Sequence, residues 1–180
     1  LSCLFTGDAL DPATLTEDAL PVYDVTEVLD ALLAGEAPPT TGARRLPIGS
    51  FAFALTDLAD AGNGAPAHQV TWQPLRPLAS GRRYAALVTD AVKTVDGEAV
   101  APGLVANVLK SRTPLVDDKG LRTVLQISIS DADAAQLEGA RRRNDAALSA
   151  IEADGGPARG EVAVVWTFRT HTASAFQLDP

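Results

Sequence analysis

For nucleophilic or metal-assisted chemistry this chain offers one cysteine, two histidines and scattered serines, so their spacing decides what they can do. An α/β-type serine hydrolase needs a Gly-x-Ser-x-Gly elbow, whose glycines permit the strained strand-to-helix turn that exposes the hydroxyl. The sequence contains no such motif. Its nearest approach is Gly49-Ser50-Phe51, where the glycine stands directly before the serine and Phe51 opens an alternating apolar run, so Ser50 is read as structural. His68 lies beside a loop and His171 after the last apolar run; either could join a Ser-His-Asp triad only through tertiary folding, and both are read as surface or strand-edge residues. Zinc requires several His or Cys ligands at close spacing, as in His-Glu-x-x-His, and His68, His171 and Cys3 form no such cluster. No catalytic or cofactor-binding residue is assigned, and the chain is read as a non-enzyme.

Oxygen ligands are better represented. Asp57, Asp60 and Asn63 share one Gly-containing loop and Asp117-Asp118 sit in another, and such loops can gather the roughly six to eight oxygens a hard cation takes. The spacing differs from an EF-hand, and solvated loop carboxylates are the commoner explanation of such residues; Asp57, Asp60 and Asn63 stand as the weak calcium candidates, with no other cofactor expected. Trp72, Tyr84, Trp166 and Phe168 would make a ligand platform if exposed, but their alternation with aliphatic residues assigns them to a core. Arg141-Arg142-Arg143 could dock an acidic partner, although a three-residue run on the polar side of a helix is commonly just solvated.

These residues depend on elements that can be traced along the chain. Phe5 to Gly7 and Leu20 to Val25 read as short strands, with Asp11 capping a turn that starts at Pro12. Thr26 is placed to cap a short helix near 26–34, which Gly35 and Pro38-Pro39 end. Phe51, Phe53 and Leu55 fall at every second position of a strand, and Gln69 to Gln73 makes another. Pro74, Pro77 and Ser80-Gly81 mark a surface connection to the alternating strand around Tyr84, Ala86 and Val88. Asp96-Gly97 then supplies the turn of a hairpin with a return strand ending near Val100. Leu104 to Lys110 and Val124 to Ile129 are further extended candidates.

One helix is marked at both ends. Ser130 caps a segment from Asp131 to Ala153, Asp131 and Asp133 complement its dipole, and Gly155-Gly156-Pro157 stop it. Leu137, Ala140, Asn144, Ala147, Leu148 and Ile151 trace a thin stripe for packing on a sheet, with Arg141, Arg142, Asp145 and Glu152 left largely in water. Val162 to Thr170 resumes a strand, with Val162, Val164, Trp166 and Phe168 on one face, expected to sit centrally in its sheet.

DALDPATLTEDALPVYDV, PLASGRRYAALVTDAVKTVDGEAV and VVWTFRTHTAS together resemble bacterial Ig-like domains, in which a DP-x-[TS] opening, an L-x-x-G-x-x-Y-x-[AV] strand, a D-x-x-G hairpin and a terminal [TF]-x-T strand recur. The arrangement is similar to the N-terminal region of extracellular bacterial lipases of the virulence-factor type, over roughly residues 4–173. The resemblance implies a mainly β fold: an Ig-like antiparallel β-sandwich of roughly seven or more strands with an inserted helix at about 131–153. Residues 1–173 would form one domain and 174–180 a tail. It further implies an exported, non-catalytic module at the bacterial cell surface or outside it, acting as a structural, spacer or protein-interaction domain or as a subunit of a larger surface assembly. The alternative is an N-terminal accessory domain of a secreted lipase or esterase whose hydrolase domain lies outside these residues. A protein partner or adjacent domain is the expected contact.

Composition narrows the partners. Fifteen Lys and Arg against 23 Asp and Glu give a formal charge of -8, which opposes broad attraction to phosphate backbones or anionic membranes, so nucleic acid is not expected. No apolar run approaches the roughly 20 residues of a membrane span, and the opening LSCLFTGDAL lacks the basic and apolar regions of a signal peptide, which would have been removed or left out. A lone Cys3 allows no internal disulfide, and Leu1-Ser2-Cys3 is one residue short of the lipobox order.

Overall fold

The strand expected around Tyr84 forms as β6 (Arg83–Thr89), and it is buried on both faces. Ala85 and Leu87 face one hydrophobic cluster, whereas Tyr84, Ala86 and Val88 face another. A period-two strand that is apolar on both sides must be a middle layer. The computed structural model describes residues 1–59, 66–123 and 129–171, and in it β6 lies between a second sheet and a helical layer.

Two antiparallel sheets make up the β structure. One has the order β1-β5-β4, from β1 (Ser2–Thr6), β5 (Ala67–Pro74) and β4 (Phe51–Leu58). The other has the order β3-β2-β6-β7, from β3 (Arg44–Arg45), β2 (Val22–Asp24), β6 and β7 (Val162–Arg169). Their facing sides share one core of Leu20, Val22, Phe51, Val70, Trp72, Tyr84, Ala86 and Val88. Trp72 is its centre: it is 1% exposed, its indole N–H donates to the Leu20 carbonyl at 3.2 Å, and Trp166 meets it edge-on at 5.1 Å. Burying each such side chain stabilises the fold by about 1.5–3 kcal/mol, and the indole N–H keeps a partner in the dry interior.

The outer face of the four-stranded sheet is covered by α1 (Thr26–Leu33) and α3 (Asp131–Ala153), with Val28, Leu29, Ala147, Leu148 and Ile151 packed against Ala85, Leu87 and Val165. The α3 boundaries follow the sequence signals. The Asp133 amide donates to Ser130 Oγ at 3.1 Å, and the Ser130 amide donates back to the Asp133 carboxylate. At the other end Gly155 adopts φ +83°, and the Gly156 amide reaches the Ile151 carbonyl at 2.8 Å, the bonding of a Schellman stop.

Several expectations are corrected. Thr26 is the first residue of α1 and not its cap; Val25 holds the cap position without a side-chain bond, and the Asp24 carboxylate before it accepts from the Thr26 amide at 3.0 Å and from its hydroxyl at 2.6 Å. Leu104–Leu109 is the helix α2, not a strand, because Leu104, Val105, Val108 and Leu109 have helical spacing and Val108 fills a small cluster with Leu115 and Leu137. The Asp96-Gly97 turn forms with φ +84° at Gly97, but no return strand pairs with β6. Instead a single bridge joins Lys93 to Ala99, and residues 93–95 bond to residues 9–11, while β6 is flanked by β2 and β7.

Among the described residues β7 is an edge strand, not a central one. A bulge opposite Val88 and Thr89 leaves Ala163 as an extra residue and turns Val162 to the helical side with Val165, away from Val164, Trp166 and Phe168. Arg141, expected in water, is 4% exposed. The strand candidate over 124–129, apart from Ile129, and the tail from 174 lie outside the described residues.

Candidate functional site

Ser50 and His68 occupy opposite ends of the β4–β5 pair. Ser50 precedes β4, where its carbonyl accepts from the Leu75 amide at 2.9 Å and its hydroxyl donates to the Pro47 carbonyl. His68 is opposite Asp57 at the far end of the same ladder. Seven residues of extended chain separate the two ends, about 23 Å, so they cannot act as nucleophile and base within one site.

His68 is neither at the surface nor on a sheet edge. It lies 6% exposed on the central strand β5, with Nδ1 2.7 Å from Asp57 Oδ1 and Nε2 3.3 Å from the Gly7 carbonyl. The ring therefore ties the ends of all three strands of its sheet. Asp57, a calcium candidate, has this histidine as its partner; Asp60 and Asn63 lie outside the described residues. Asp117 Oδ1 accepts from the Lys119 and Leu121 amides at 2.9 and 2.8 Å, which makes its carboxylate a turn-former. Among the described residues no group of three or more His, Cys, Asp or Glu side chains converges as a metal site.

The Cys3 side chain packs on the inter-sheet core, and burial pushes its thiol up to about 11. A thiol so disposed carries little thiolate at neutral pH and is a poor nucleophile. His171 is exposed just past β7, where its carbonyl accepts from Ser80 Oγ at 2.6 Å. The four aromatic residues form core contacts, with Tyr84 and Phe168 stacked at 5.5 Å and Trp72 against Trp166; Trp166 and Phe168 stay half-buried at the rim.

Arg141 turns inward from the triple-arginine run. Its Nε and Nη2 donate to the two oxygens of Glu138 at 2.8 and 2.7 Å, its Nη1 donates to the Ser111 carbonyl at 2.8 Å, and Glu138 also accepts from the Leu115 amide at 2.8 Å. This bidentate pair staples residues 111–115 to α3. Burial works to raise the Glu138 carboxyl, but the bonds from Arg141 and Leu115 outweigh it and hold the group below its ordinary range.

Of the surface concavities, one of about 490 Å³ is lined chiefly by polar and charged residues such as Lys110, Arg112, Glu152 and Arg159, and two others have apolar walls. A cleft of about 450 Å³ is walled by Leu46, Ile48, Pro77 and Leu78, with Tyr84 and Asp24 at its base and Arg76 on its lining. Asp24 there is already engaged: Arg82 Nε donates to it at 2.8 Å, and with Thr26 this overcomes the upward effect of burial and lowers its carboxyl. Nothing in the local sequence pattern pointed to this Asp24, Thr26 and Arg82 cluster, because Arg82, in the connection just before β6, is far in the chain from the end of β2 and the start of α1. The second concavity is a groove of about 360 Å³ between β1, residues 94–103 and β7, with Phe5, Leu10, Val100 and Val164 among its apolar walls. No family model, curated protein or solved structure matches this chain. Both concavities offer apolar contact with a few polar atoms, the chemistry of binding. Neither unites a nucleophile, a base and an oxyanion-stabilising pair among the described residues.

Proposed function

We propose that this chain is a non-catalytic, exported Ig-like β-sandwich module that acts as a structural, spacer or protein-interaction domain. The observation that carries the reading is strand order. An immunoglobulin constant-type sandwich pairs strands A-B-E-D in one sheet and C-F-G in the other, with C′ joining the second sheet in variable types. Along this chain, β1 to β7 fall in the sequence B, C, C′, D, E, F, G, so that β1-β5-β4 corresponds to B-E-D and β3-β2-β6-β7 to C′-C-F-G. Each of the seven strands pairs as its counterpart in that order does, strand A having no counterpart among the described residues, and α3 falls between F and G.

The disposition of the reactive side chains supports the same reading. Ser50 is held by Pro47, His68 by Asp57 and Gly7, and the Cys3 thiol is pushed up by burial. The resemblance of the sequence to exported bacterial modules supports a place at the cell surface. The test is turnover of short-chain p-nitrophenyl esters by the purified chain. The expected rate equals that of buffer alone, and ester hydrolysis that disappears in Ser50→Ala or His68→Ala would overturn the proposal.

A further inference from the structure

The outer edge of β1 has no neighbour among the described residues. In its ladder with β5 the Trp72 amide donates to the Leu1 carbonyl at 2.8 Å and the Gly7 amide to the Pro66 carbonyl at 3.3 Å, so Leu1, Cys3, Phe5 and Gly7 face the partner strand. Antiparallel pairing alternates, and the N–H and C=O groups of Ser2, Leu4 and Thr6 therefore point away from the sheet. Apart from the Leu4 amide, which engages the Cys3 thiol, none of these six groups is bonded by a described residue.

Other edges are protected in ways this one is not. At β7 the Val165 carbonyl accepts from Asn144 Nδ2 at 3.3 Å and the Val162 carbonyl from Lys110 Nζ. β3 is two residues long, and β4 has its first amide, Phe51, bonded to Glu17 at 2.8 Å and a charged Asp57 near its end. β1 reads SCLFT, with neither a charge nor a proline to discourage pairing.

Beside this edge lies the 360 Å³ groove, over which Leu4 stands 49% exposed. Cys3, Phe5, Val100 and Val164 are only half-buried here, so the inter-sheet core is thinly covered along this side. The charged residues on the groove lining are Asp8 and Glu98, both acidic.

We propose that β1 and this groove receive an added β-strand, an extended segment of a partner protein with apolar side chains at alternate positions and Lys or Arg at its ends. This rests on the interaction-module reading and supplies its partner. Main-chain bonds to Ser2, Leu4 and Thr6 hold the segment, its inward side chains cover Phe5 and Val164, and its cations meet Asp8 and Glu98. Acidic residues on both sides of a self-pairing would oppose a second copy of the chain at the same edge.

The experiment titrates the isotope-labelled chain with the capped peptide Lys-Thr-Val-Thr-Val-Thr-Val-Thr-Lys. Saturable binding is expected, with amide exchange at Leu4 and Thr6 slowed by about tenfold or more and exchange at Phe53 and Leu55 of β4 unchanged. Leu4→Pro, which removes an outward donor and no bond to β5, should abolish binding. Asp8→Lys combined with Glu98→Lys leaves the backbone intact and should weaken binding by about tenfold. Absence of saturation, protection of β4 in place of β1, binding unaltered in both variants, or self-association that protects Leu4 and Thr6 without peptide would each overturn the inference. Ester turnover is independent of these results, so it alone refutes the non-catalytic module, whereas failed peptide binding refutes the strand partner.

Discussion

Gly156 shows how tightly one residue can be bound into this fold. A Cβ built there would lie 2.5 Å from Ile151 Cγ2, 2.8 Å from the Tyr23 hydroxyl and 2.9 Å from the Ile151 carbonyl, and the last of these is backbone that cannot swing aside. Gly156→Ala is therefore expected to cost about 1–3 kcal/mol by chemical denaturation, whereas Gly160→Ala, with nothing within 4 Å of its Cβ position, stays near neutral. Equal stabilities for the two variants would contradict the packing described. That Gly155-Gly156 end α3 was legible in the sequence, because a C-cap is a local signal. That Gly156 is also a contact for Tyr23 was not, since Tyr23 lies far away in the chain. The same division separates Ser130, a cap visible from its place just before the helical segment, from His68, whose neighbours Gly7 and Asp57 lie just past β1 and on β4.

At the scale of elements, α3 is held to the rest of the chain by polar as well as apolar contacts. Arg141 has a side chain only 5% exposed and Glu138 one of 14%. Removing one member strands the other, and Arg141→Ala is expected to cost about 3–5 kcal/mol. The double variant Arg141→Met with Glu138→Gln removes both charges and should lose less than Arg141→Ala alone; a loss at least as large would contradict a buried pair. Because the folded Glu138 carboxyl is depressed below 4.5, its stabilisation is present above that value and declines as pH falls through the folded pKa. The double variant should therefore show a shallower acid limb. Helical periodicity located α3 but put Arg141 on its wet side, since the inward turn depends on Ser111 and Leu115 of a distant segment. α2 was misread for a related reason: six residues rich in valine and leucine fit either period, and only the pocket around Val108 selects the helix.

For the whole molecule, the alternating runs around Phe53, Tyr84 and Trp166 made a mainly β chain legible, and the marked ends of Asp131–Ala153 made its long helix so. Strand order was not legible, because pairing partners such as Ser2–Thr6 and Ala67–Pro74 are joined by no local signal. The bulge at Ala163, which made β7 two-faced, is likewise a product of pairing with β6. Yet that order bears most of the proposed function, since the proposed Ig-like reading rests on it and, among the described residues, it leaves β1 without an outer neighbour. The most direct test is the set of cross-strand NOEs in the isotope-labelled protein. The account predicts antiparallel contacts joining Cys3 with Val70, Ala54 with Thr71, Tyr23 with Ala85 and Leu87 with Val165, and none from β1 to β6 or β7. Contacts pairing β1 with a strand of the other sheet would contradict it.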